Sequence, residues 1–64
     1  MSFQRKVVGE VETYLGRKIA ALYCGPDLLC AVDGVEVGNF YMTVEAAHAA
    51  GRRYVDQVEK EKKQ

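Results

Sequence analysis

Three side chains of this 64-residue sequence could serve as soft ligands, or as a nucleophile with its base: Cys24, Cys30 and His48. A thiol attacks when a base lies within hydrogen-bond reach and something nearby favours the thiolate. No spacing ties His48 to either cysteine. Two cysteines without a CxxC pair fall short of a four-thiolate zinc site and of a disulfide scaffold. They read as reduced thiols, and His48 as the flank of a helix at a sheet edge. Ser2, the only serine, lies in a terminal stretch and makes a poor nucleophile. Glu10 and Glu12 stand two apart, on one face of a strand, with no further ligand at metal-binding distance along the chain. They read as a solvated strand edge whose charge deters sheet-to-sheet association. Gly34, Gly38 and Gly51 are too scattered to cradle one phosphate. No catalytic, cofactor-binding or metal-binding residue is assigned, and the expectation is a protein without enzymatic activity. Arg52 and Arg53, followed by Tyr54, form the strongest basic cluster, but neighbours on a helix point about 100° apart. They read as a solvated helix face with local salt bridges.

The elements that carry these residues can be placed from pattern. Val44, Ala47, Gly51, Tyr54, Val55 and Val58 recur at three- and four-residue spacing, which predicts a helix. Thr43 is its N-cap and Glu45 favours the positive end of the helix dipole. Asp56 and Lys60 stand at the spacing of a helical ion pair. Gly51 in the stripe costs about 1 kcal/mol against alanine, and would let the helix approach a sheet closely. Before the helix, Leu28 to Val32 and Val35 to Tyr41 flank Asp33-Gly34, the pair that a tight hairpin turn demands. Gly38-Asn39 reads as a bulge in the second of these strands. Val7 to Cys24 admits two readings. As a helix, Val11, Leu15, Ile19 and Leu22 align and Gly25-Pro26 stops it. As strands, Val7, Val11, Thr13 and Leu15 share a face and the chain turns at Leu15-Gly16-Arg17. Gly16 and the β-branched and aromatic content favour strands. A Gly25 to Asp27 loop would pair Cys24 with Leu28 and leave both thiols free.

The sum is one α+β domain over 1–64, an antiparallel meander of three to four strands followed by one helix on one sheet face, with mobile ends near 1–5 and 60–64. A chain this short buries only about 60% of its unfolded surface. With 48% hydrophobic residues and 28% charged it is nonetheless too apolar for disorder. Nine Lys and Arg balance nine Asp and Glu, so no long-range field draws it to nucleic acid or anionic membrane. The longest apolar run, Ile19 to Cys24, cannot span a bilayer. The chain is expected to be cytoplasmic.

The order Tyr14-Leu15-Gly16-Arg17-Lys18-Ile19, Leu29-Cys30-Ala31-Val32-Asp33-Gly34 and Val37-Gly38-Asn39-Phe40-Tyr41-Met42-Thr43-Val44-Glu45-Ala46-Ala47 resembles small domains in which three strands precede one helix. The plant ethylene-response-factor DNA-binding domain and the arm-binding domain of phage integrases are two such families, and many small phage and bacterial proteins share the outline. The resemblance spans Tyr14 to Asp56 and implies the meander with a helix across one face; a phage or mobile-element setting comes from it alone. The families' arginine and tryptophan on the outer sheet face have no counterpart here. Leu29 and Ala31 take that face if Cys30 and Val32 turn to the helix.

A thin fold with much apolar sequence points to a non-catalytic protein–protein interaction module, a homodimer at micromolar concentration, with Leu29, Ala31 and Tyr41 at the contact. The alternative is a nucleic-acid-binding domain using Arg17, Lys18, Arg52 and Arg53. No cofactor is expected.

Overall fold

A computed structural model describes residues 4–38 and 40–62. Four strands form a sheet in the order of the chain: β1 (Arg5–Tyr14), β2 (Arg17–Cys24), β3 (Asp27–Val32) and β4 (Val35–Val37). Every neighbouring pair is antiparallel. One helix, α1 (Val44–Lys62), packs on one face. The α+β meander is therefore the fold, and strands rather than a helix occupy Arg5 to Cys24. The expected mobile ends fall partly on 1–3 and 63–64, outside the described residues. Arg5 itself opens β1, and 60–62 close the helix.

Every hairpin closes through two residues, and each loop takes the backbone sign that a right-twisted hairpin needs. Leu15 (φ 52°) and Gly16 (φ 79°) join Tyr14 to Arg17. Asp33 (φ 50°) and Gly34 (φ 83°) join Val32 to Val35. At the third, Gly25 (φ 62°) precedes Pro26, the order in which positive φ is followed by the ring's fixed negative φ. This last turn is one residue shorter than the loop expected from the sequence. It pairs Cys24 with Asp27 rather than Leu28, and sets Cys30 opposite Ala21. Both thiols are free. Asp33 also closes its own hairpin end: Lys18 N donates to Asp33 Oδ1 at 2.9 Å, and Asp33 N donates to Lys18 O at 2.8 Å. Replacing Gly34 by valine puts a β-branched residue at φ 83°, a cost of about 1–3 kcal/mol. Thermal denaturation should show a lower Tm by at least several degrees; an unchanged Tm would contradict this turn geometry.

Two departures from the sequence reading reshape the sheet. First, Val8 pairs with Ala21 but Glu12 pairs with Ile19, so four steps along β1 match two along β2. Gly9, at φ 71°, carries this bulge. The offset is even, so Val7, Val11 and Thr13 still share the face away from the helix, as read from the sequence, and Val8, Glu12 and Tyr14 the face toward it; what changes is that Glu12 rather than Glu10 stands opposite Ile19. Second, β4 ends at Val37, not Tyr41. Gly38, at φ 70°, turns the chain out of the ladder, and Tyr41 N returns to donate to Leu28 O at 2.9 Å. The expected bulge partner Asn39 lies outside the described residues.

The core lies between α1 and the sheet: Ile19, Ala21, Leu28, Cys30 and Val32 from β2 and β3, Ala47 and Val55 from the helix. Thr43 caps the helix as expected, its Oγ1 accepting from Ala46 N at 3.0 Å. Gly51 is the point of closest approach. A Cβ there would lie 2.5 Å from Ile19 Cγ2 and 3.0 Å from Cys30 Sγ.

Candidate functional site

Two regions hold the chemistry-bearing residues. One is a polar seam along the helix flank that faces the β1–β2 hairpin. Arg52 Nη1 donates to both carboxylate oxygens of Glu12, at 2.8 and 3.0 Å. His48 Nδ1 lies 2.8 Å from Glu12 Oε1; the carboxylate only accepts, so the ring nitrogen donates. These hydrogen bonds, His48 first and Arg52 next, hold the Glu12 carboxyl below its ordinary range. One and two turns on, Tyr14 donates its hydroxyl to Asp56 Oδ1 at 2.9 Å, and Arg17 lies 3.6 Å from both Asp33 and Glu59. The Asp56 bond raises the Tyr14 hydroxyl pKa, because losing that proton would set two anions side by side.

The seam corrects three expectations. Glu12 is no solvated edge carboxylate, Arg52 pairs with this strand carboxylate rather than locally along the helix, and Asp56 accepts from Tyr14 rather than pairing with Lys60. Glu10, by contrast, is exposed. The missed signal was joint: His48 and Arg52 stand four apart on one helix flank, so one acid can meet both. The register that brings Glu12 to them depends on the bulge at Gly9. The seam offers no nucleophile. Cys30 is fully buried, which pushes its thiol pKa up, and Cys24 lies on the opposite sheet face by alternation. Among the described residues no three of His, Cys, Asp and Glu converge to hold a metal ion.

The second region is the sheet face that the helix leaves uncovered. The register aligns its residues in rows: Val7, Leu22, Leu29; then Ala20, Ala31, Glu36; then Arg5, Cys24, Asp27. Val11, Thr13 and Lys18 complete it. Arg5 on one edge strand hydrogen-bonds Glu36 on the other. Those edges would lie about 14 Å apart in a flat sheet, so the sheet curls toward this face, and the bulge sharpens the twist that permits it.

The candidate interface residues are only partly brought together here. Leu29 and Ala31 do face away from the helix, but Leu29 is half-buried and Ala31 is 6% exposed. Two neighbouring strands and a short alanine side chain leave Ala31 little to offer a partner. Tyr41 is on the other side: it packs against the core and donates its hydroxyl to Val37 O at 3.1 Å. The most exposed apolar residues on the face are Val7 (53%) and Val11 (48%). Of the four candidate nucleic-acid cations, Arg17 and Arg52 are engaged by carboxylates. Lys18 and Arg53 are exposed, one on the open sheet face and the other on the helix. Among the described residues no helix is long and apolar enough to cross a membrane. Comparisons with protein-family models, with curated proteins and with solved structures return no match for this chain.

Proposed function

We propose that this chain is a non-catalytic protein–protein interaction module whose contact surface is the uncovered sheet face, acting in the cytoplasm, where both thiols stay reduced. The observation that carries this reading is the row Val7, Leu22, Leu29, extended by Val11 and Ala20. One helix covers one face of a four-stranded sheet, and the other keeps a contiguous apolar surface rimmed by Arg5, Lys18, Asp27 and Glu36. Such a surface is characteristic of protein contacts. The polar seam supports the same reading differently. Its charged groups are consumed in fixing the helix to the hairpin, so they hold a scaffold rather than meet a substrate. A phage or mobile-element setting is part of the proposal only through the resemblance to arm-binding domains. Nucleic acid is the weaker partner, since Arg17 and Arg52 already neutralise carboxylates and phosphate contacts need several free cations on one face.

A photoreactive phenylalanine analogue placed at Leu29, and separately at Arg53, tests the surface. Crosslinks to protein are expected from position 29 in cells and in purified samples, and not from position 53. Equal yields from both positions would remove the sheet face as the contact.

A further inference from the structure

We infer that the occupant of the uncovered sheet face is a second copy of the same chain, packed face to face about a twofold axis that runs across the strands. This rests on the proposed interaction surface and names its partner. The placement of charge points to a copy rather than a foreign protein.

The face carries two cations, Arg5 and Lys18, and two anions, Asp27 and Glu36. Within one chain Arg5 and Glu36 already meet. Lys18 and Asp27 have no ion pair among the described residues, and the register holds them at opposite ends of the face. Lys18 lies beside Thr13 near the Leu15-Gly16 turn, Asp27 beside Cys24 at the Gly25-Pro26 turn. A twofold axis across the strands turns one face end for end. Lys18 of each copy then stands over Asp27 of the other, twice in the dimer. Facing sheets sit about 10 Å apart, a gap that the long lysine stem can cross from the rim. The rim thus complements itself, and between the ends the Val7, Leu22, Leu29 rows of the two copies meet.

The test is sedimentation of wild type and charge-reversed variants, each checked for native circular dichroism. Wild type is expected to dimerise at micromolar concentration. Lys18→Asp alone sets like charges together at both ends of the contact, as does Asp27→Lys alone. Each should weaken dimerisation by at least roughly tenfold. The double reversal restores it. So does mixing the two single variants, because each then supplies the charge the other lacks. Leu29→Glu should dissociate the dimer in every background. If the mixture stays monomeric while wild type dimerises, the end-for-end arrangement is overturned. If wild type is monomeric throughout, the second-copy inference falls. Position-specific crosslinking from Leu29 to another protein would in that case leave the interaction surface standing.

Discussion

Replacing Gly51 by alanine is expected to lower the melting temperature, although the same change in an exposed helix would raise stability by about 1 kcal/mol. The sign is decided by where the new methyl lands. It would sit 2.5 Å from Ile19 Cγ2 and 3.0 Å from Cys30 Sγ. Neither neighbour can yield cheaply. Ile19 is branched at Cβ, which stiffens χ1, and both side chains are fully buried between sheet and helix. Relief must come from lifting the helix off β2 and β3, which loosens Ala47 and Val55 as well. Overpacking of this kind costs about 1–3 kcal/mol, more than the helix gains, and valine in place of alanine belongs at or beyond the upper end. In a domain this small each kcal/mol moves Tm by about 4–8 °C. The pair Gly51→Ala and Ile19→Ala provides an internal check. Ile19→Ala alone should cost about 2–5 kcal/mol through the cavity it leaves. Combined with Gly51→Ala the loss should be smaller than the two added, since the new methyl enters the space vacated by Ile19. Additive losses by chemical denaturation would show that Gly51 is not the contact point.

Gly51 was open to anticipation because its context was local: a glycine within an apolar helical stripe implies close approach to something flat. The same holds for Asp33-Gly34, where the dipeptide itself demands positive φ, and for Thr43, whose hydroxyl caps the turn that follows it. Alternation in β3 sends Leu29 and Ala31 outward once Cys30 and Val32 face the helix, which they do. What could not be anticipated depended on register. Strand alternation passes straight through Gly9, yet the bulge at its positive φ adds two residues to β1 relative to β2. That places Glu12 opposite Ile19, level with the helix, and a carboxylate that looked solvated becomes the link between sheet and helix. The pairing of Glu12 with His48 and Arg52 spans 36 and 40 residues. No short-range pattern encodes it. The open face shows the same limit in milder form. Alternation gave the direction of Leu29 and Ala31 but not the curl of the sheet, which brings Arg5 to Glu36 and leaves Val7 and Val11 more exposed than either.

The Glu12 linkage should make the acid side of the stability curve depend on one residue. The Glu12 carboxyl is held below the ordinary glutamate value of 4.5 by hydrogen bonds from His48 and Arg52. In the unfolded chain those donors are gone and the ordinary value returns. The folded state therefore binds its proton less readily than the unfolded state, and protonation favours unfolding. The contribution is complete above the ordinary value and is lost as pH falls through the depressed one. Glu12→Gln keeps the shape and one acceptor oxygen but loses the charge and one strong acceptor. At neutral pH it should cost about 1 kcal/mol, since hydrogen bonds to charged groups contribute about 1.5–3 kcal/mol and partial exposure screens this one. More specific is the profile. Wild type should lose stability between about pH 5 and pH 3, and the Glu12→Gln curve should be flatter there, so the difference between the two closes as acid is added. Urea denaturation at stepped pH measures both curves on one scale. A gap that stays constant down to pH 3 would mean that Glu12 acts through packing alone, and that the seam holds the helix by shape rather than by charge.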